Sequence, residues 1–121
     1  LHKTFVDIFY KKAKKGIIYN NKKNYKDFIS IEKFCEIVSM IIHKNLRGTF
    51  NVSIGKKVFL NDLVKWLNHF NQRKFKIVNY NKAPEKNFYL NNRKLMSKIK
   101  ISNNLESLKK DCINLSKKLF K

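Results

Sequence analysis

Apolar residues recur along this chain at two periods, and the changes of period mark its elements. Over residues 4–15, Phe5, Ile8 and Phe9 fall at helical spacing, and the stem of Lys12 extends the same face. Gly16 stands where a helix commonly stops. Ile17-Ile18-Tyr19 reads as a short apolar strand, residues 20–26 as a polar loop, and Asp27-Phe28-Ile29 as a second extended segment. Ser30 suits the N-cap of a helix over residues 31–44, and Glu32 sits in its first turn, where the helix dipole favours an acid. Ile31, Phe34, Cys35, Val38, Ile41 and Ile42 give that helix a wide apolar face, which predicts burial on a broad front.

Residues 45–48, Asn-Leu-Arg-Gly, close that helix, and the alternating, β-prone residues 49–53 predict a strand. Gly55 with Lys56 and Lys57 makes a turn. Residues 60–70 form a further amphipathic helix, with Leu60, Leu63, Val64, Leu67 and Trp66 facing in, and Phe59 stands where a capping Ser or Thr would belong. Residues 75–78 alternate as a last strand, residues 79–87 form a loop around the single proline, Pro84, and residues 90–99 start another helical stretch. Leu105, Leu108, Cys112, Leu115 and Leu119 mark a C-terminal helix. Short strands alternating with helices indicate an α/β fold, and 121 residues suffice for one domain with a modest core. The chain opens on Leu1 and runs at once into an apolar helix, which reads as a piece cut from a longer protein.

Charge changes this picture less than its size suggests. The formal net charge is +20, from 28 Lys and Arg against 8 Asp and Glu. Such a balance ordinarily points to nucleic acid or an anionic membrane. Arginine, however, occurs only at 47, 73 and 93, while Lys, Asn and Ile are abundant throughout, the signature of an AT-rich coding sequence. A duplex-reading protein would favour arginine, whose planar fork clamps phosphate and reads guanine. Nucleic acid is therefore discounted as the main partner, although a diffuse positive field still attracts an anionic ligand such as a nucleotide diphosphate. No apolar run approaches membrane-spanning length, so no membrane partner and a cytoplasmic location are expected. Cys35 and Cys112 lack partners at metal-ligand spacing and read as buried free thiols. His2, His43 and His69 stand apart from any acid or cysteine at ligand or triad spacing, so no metal site is expected.

Three segments together carry a resemblance. Gly16-Ile17-Ile18-Tyr19, a polar loop, and then residues 26–33, Lys-Asp-Phe-Ile-Ser-Ile-Glu-Lys, resemble the arginine-aspartate-aromatic-isoleucine signature of extended short-chain dehydrogenases/reductases, the family that includes NAD-dependent nucleotide-sugar epimerases and dehydratases. Residues 48–55, Gly-Thr-Phe-Asn-Val-Ser-Ile-Gly, look like that family's glycine-x-aromatic-asparagine-valine strand and turn. Phe88-Tyr89-Leu90-Asn91-Asn92-Arg93-Lys94-Leu95 is similar to the late segment, aspartate or asparagine then a lysine, that opens its penultimate helix. The order and spacing fit over nearly all of the chain. Independently of the family, Asn51 can bond neighbouring loop backbone, and Gly48 and Gly55 suit tight turns, so Asn51 and Gly55 are expected to hold the fold rather than touch ligand.

The resemblance implies an α/β C-terminal, substrate-binding lobe over residues 1–121, without most of the Rossmann half. It implies a nucleotide-diphosphate sugar as ligand, an upstream Rossmann half as partner, and NAD or NADP bound mainly outside this chain. By the same resemblance the Tyr19–Asn20 backbone edge lies near the nucleotide base, Lys26 near the diphosphate, and Lys82 or Lys86 supplies a second phosphate-binding cation. The bland alternative for each lysine is a solvated surface charge. Departures are plain: Lys26 replaces an arginine and loses the bidentate fork, Asn20-Asn21-Lys22-Lys23-Asn24 replaces a glycine-bearing turn, and Ser53 replaces a common glycine. The glycine-rich dinucleotide turn is absent. The family's catalytic Tyr and Lys find only two matches in spacing, Tyr10 with Lys14 and Tyr19 with Lys23, both read as chance in so lysine-rich a chain, so no catalytic residue is assigned. Two rival readings stand beside this one: a small basic nucleic-acid-binding module, and an interaction domain whose apolar helix faces form a homodimer.

Overall fold

The computed structural model describes residues 5–20, 22–72, 76–79 and 86–120. The elements run α1 (Phe5–Lys15), β1 (Ile17–Asn20), β2 (Tyr25–Lys26), α2 (Ile31–His43), β3 (Val58–Phe59), α3 (Leu60–Leu67), β4 (Lys76–Asn79), α4 (Arg93–Met96) and α5 (Leu105–Leu119). β1 pairs with β4 in parallel, Ile17 opposite Lys76 through Asn20 opposite Asn79. β2 pairs with β3 antiparallel, Tyr25 opposite Phe59 and Lys26 opposite Val58. The expected alternation of short strands and helices is present.

Helix ends follow local chemistry. α1 stops at Gly16, whose φ of 80° suits the left-handed conformation that ends a helix without a Cβ penalty. Ser30 caps α2 by accepting from the Lys33 amide at 3.1 Å, and its hydroxyl donates to the Asp111 carboxylate at 2.6 Å, tying the start of α2 to α5. α2 ends in a Schellman arrangement: Asn45 adopts φ 54°, its amide donates to Ile42, and the Leu46 amide donates to Ile41. Asn104 and Ser107 form a reciprocal capping box at the start of α5. α3 has no such device. Its N-cap is Phe59, which makes no side-chain capping bond.

Two cores result. The larger joins Phe9 and Ala13 of α1, Ile54 and Val58, the Leu63-Val64-Leu67 face of α3, and Leu108 and Cys112 of α5. At roughly 1.5–3 kcal/mol for each large side chain taken from water, this cluster is what joins α1, α3 and α5. Ser116 of α5 is fully buried, and its hydroxyl accepts from the Phe70 amide at 3.0 Å, closing the turn after α3. The smaller core packs Ile37 of α2 against Leu95 of α4 and Ile99, with Met40, Phe50 and Val52 around them.

Four expectations need correction. Residues 49–53 form no strand. The Thr49 and Ser53 carbonyls accept from side chains of other segments, Lys94, Asn92 and Asn103, instead of from a neighbouring strand. The second extended segment pairs at Tyr25–Lys26 rather than at residues 27–29. The apolar face of α2 is not buried on a broad front: only Ile37 is buried, while Ile31 is 67% and Ile42 72% exposed and Phe34 is also exposed. Cys35 lies on that outward side and is exposed, whereas Cys112 is buried as expected. On α1, Phe9 and Ala13 point inward and Ile8 outward.

Candidate substrate-binding site

The three segments that carry the sequence resemblance meet at one point, and Asp27 is its centre. One oxygen of the Asp27 carboxylate accepts from the Ile54 amide at 3.0 Å; the other accepts from the Gly55 amide at 3.0 Å and the Leu90 amide at 3.1 Å. Asp27 therefore anchors two distant loops. A carboxylate suits this place because it carries enough lone pairs to accept several amide donors at once.

Asparagines complete the junction. The Asn51 side-chain amide donates to the Asn91 carbonyl at 2.9 Å, the bond to neighbouring loop backbone expected of it. The side-chain amides of Asn92 and Asn103 each donate to the Ser53 carbonyl at 2.8 Å. Gly55 has φ 72°, and a Cβ there would stand 2.5 Å from the Asn92 side-chain oxygen. Glycine is needed on both counts, conformation and close approach. Lys94 reaches back over the Phe50 ring, 5.0 Å from its centroid, and donates to the Thr49 carbonyl at 3.0 Å.

A fourth link draws the late loop to β2. Asn87 accepts from the Tyr25 amide through its side-chain oxygen at 3.1 Å and donates to the Lys23 carbonyl at 3.4 Å. Lys26 follows Tyr25, and Lys86 precedes Asn87. The backbones that carry these two lysines are therefore brought side by side, Lys26 half-buried in β2 and Lys86 exposed. Tyr19 and Asn20 end β1, opposite Val78 and Asn79. The β1–β4 sheet has two strands, so among the described residues the other edge of β1 pairs with no strand. Lys82 lies outside the described residues. Tyr10, of the first Tyr–Lys spacing, packs its ring 5.8 Å from that of Phe120. Among the described residues no group of three or more His, Cys, Asp or Glu is placed to hold a metal ion.

An apolar cleft of about 730 Å³ opens between α1, α3, α5 and the start of α2, lined by Val6, Phe28, Leu63, Leu67, Cys112 and Leu115, with Glu32, Asp111 and Lys118 also on its walls. Burial and the neighbouring Asp111 carboxylate push the Cys112 thiol up to about 12.

No protein-family model matches the chain, and no curated protein is similar to it in sequence. Among solved structures, dTDP-glucose 4,6-dehydratase from Bacillus anthracis str. Ames, in complex with NAD, superposes with a TM-score of 0.61 at 14% identity, over 95% of this chain and 39% of that one. The fold is α/β, short strands alternating with helices, and it matches part of that dehydratase. At 14% identity the likeness is one of fold, and the chain spans well under half the length of that dehydratase. The junction around Asp27 places few demands on the sequence around it. Its bonds run largely to backbone amides and carbonyls, which every sequence supplies. Among the described residues no helix is long and apolar enough to cross a membrane.

The sequence pointed to Asp27 and Asn51 but missed Asn87, Asn92 and Asn103. In a chain so rich in asparagine, no spacing signal separates a bonded asparagine from a solvated one. Only their places, just before an element or within a segment of known pattern, could have singled them out.

Proposed function

We propose that residues 1–121 form the substrate-binding lobe of a nucleotide-sugar epimerase, dehydratase or reductase that works with NAD or NADP, and that the lobe is not catalytic alone. The observation that carries this reading is the superposition on a nucleotide-sugar dehydratase across nearly the whole chain, with the three motif segments meeting at Asp27. The partner is a Rossmann half, to which the cofactor binds, and two features favour one. The outward row of α2, Ile31, Phe34 and Ile42, is exposed and apolar, and the 730 Å³ cleft stands beside the start of the same helix. A helix that is apolar on both sides is stable when both sides are covered.

The ligand is a nucleotide-diphosphate sugar. The Tyr19–Asn20 edge of β1, which among the described residues pairs with no further strand, faces the base, and Lys26 with Lys86 or Lys82 provides the cations for the diphosphate. Lysine contributes point charge without the geometric fork of arginine, so recognition of the diphosphate is electrostatic and salt-sensitive. The protein is cytoplasmic. Replacing Lys26 with Ala in the complete enzyme raises KM for the nucleotide sugar by about tenfold or more with little change in kcat. An unchanged KM removes Lys26 from the site.

A further inference from the structure

Beyond the nucleotide-sugar reading, with which it shares only Lys86, the outer face of the β2–β3 pair gathers aromatic rings around a lysine. Residues along a strand alternate between its two faces. Val58 is buried, so Phe59 and Lys57 on either side of it point the other way, and Tyr25 lies opposite Phe59. The Tyr25 and Phe59 rings meet edge to face, 5.6 Å between centroids. The Lys57 ammonium sits 4.9 Å from the Tyr25 centroid and 6.0 Å from that of Tyr89, held by the negative faces of both rings. Phe59 is 38% and Tyr89 51% exposed, large apolar areas to leave in water. Lys26, opposite Val58 in the register, belongs to the other face of the pair.

The charge around these rings has one sign. Lys22, Lys56, Lys57 and Lys86 are exposed in the segments that build this face. The one carboxylate among residues 22–27, 55–59 and 86–90 is Asp27, and both its oxygens are engaged by backbone amides. Exposed rings spaced among cations, with no free acid among the described residues of these segments, suit a polyanion that carries planar faces. A duplex hides those faces in its stack, while a single strand presents them. An acidic peptide would meet the lysines and leave the rings wet.

We infer that this face binds single-stranded nucleic acid, a base stacking on Tyr89 or Phe59 and the flanking phosphates meeting Lys57, Lys56 and Lys86. The arginine shortage that argues against duplex reading does not bear on this mode, which needs π-faces and charge rather than a guanine-reading fork.

Fluorescence anisotropy of a labelled short oligothymidylate on the full chain tests it. Tyr89→Ala, at an exposed ring, lowers affinity about tenfold or more. Lys57→Gln lowers it severalfold. Removing two exposed charges elsewhere, by Lys109→Ala with Lys110→Ala on α5, changes it less than about twofold. Equal binding of an abasic strand of the same length overturns the inference, as does a Lys109/Lys110 variant that loses as much as Tyr89→Ala, because either leaves only the net charge as the cause. Polyglutamate that competes equally and is equally sensitive to Tyr89→Ala also overturns it, in favour of an acidic protein partner. Photo-crosslinking of a 5-iodouracil strand provides a readout that does not depend on any variant folding: adducts at Tyr89 or Phe59 support the inference, and adducts confined to other residues refute it.

Discussion

The junction around Asp27 and helix α2 are neighbours in sequence and opposites in construction. At the junction one carboxylate takes three backbone amides, and three asparagines tie carbonyls to neighbouring loops, while the buried Ser53 hydroxyl has no partner among the described residues. α2 is well formed as a helix, with Ser30 at one end and a Schellman close at the other, yet it leaves Ile31, Phe34 and Ile42 in water. Local rules complete its backbone, while its outer row stays exposed. The contrast separates what the lobe needs in order to fold from what it needs in order to work with something else.

The largest effect expected is at the junction. Asp27→Ala leaves three amide donors without their acceptor, and urea unfolding should show a loss of about 3 kcal/mol or more. A loss below about 1 kcal/mol would mean that water replaces the carboxylate and the junction does not hold the loops. Next is Gly55→Ala, which meets both a left-handed φ and the Asn92 side chain. It should cost about 2 kcal/mol, and adding Asn92→Ala should not restore the wild-type value, because the conformational part remains.

Substitutions on α2 should behave differently. Ile31→Lys and Ile42→Lys should each change the stability of this chain by less than about 0.5 kcal/mol, since both sites are exposed. Joined to the proposed Rossmann half, a chain with the same changes should show weaker assembly or thermal stability. An equal, small effect in both contexts would show that the outward row of α2 is ordinary surface. The smallest effect on stability, and a clear chemical one, concerns the cysteines. Ellman's reagent at pH 8 should label Cys35 quickly and Cys112 only after unfolding, because burial keeps the Cys112 thiol protonated. The folded thiol holds its proton up to about 12 against an ordinary value of 9.0. The stability linked to it is therefore complete below pH 9 and lost as pH rises from there towards 12.

Much of the helical framework was legible in the sequence because it is periodic or local. The α3 face of Leu60, Leu63, Val64 and Leu67 is buried as its spacing predicts, Ser30 caps α2, and Phe59 fails to cap α3. β1 and β4 also fall where apolar runs placed them. What periodicity could not give is the fate of residues 49–53. Thr49-Phe50-Asn51-Val52-Ser53 alternates like a strand, but the groups that would pair in a ladder meet Lys94, Asn92 and Asn103 instead, side chains nearly forty to fifty residues away. The outward half of α2 was misread for a related reason: an apolar residue reveals that it avoids water, not whether its cover comes from the same chain. Of the candidate site, Lys26 and Lys86 are brought to adjoining backbone by Asn87, a residue no pattern distinguished.

The parallel pairing of β1 with β4 has a consequence for synthesis. β1 is made about sixty residues ahead of the strand it pairs with, and at about 5–20 residues per second that is a wait of roughly 3–12 s. A hairpin partner would arrive at once, whereas here α2, β3 and α3 must all emerge first. During translation Ile17-Ile18-Tyr19 is an apolar segment without its partner strand, and the asparagine- and lysine-rich stretch that follows is of the kind that disfavours pairing between chains.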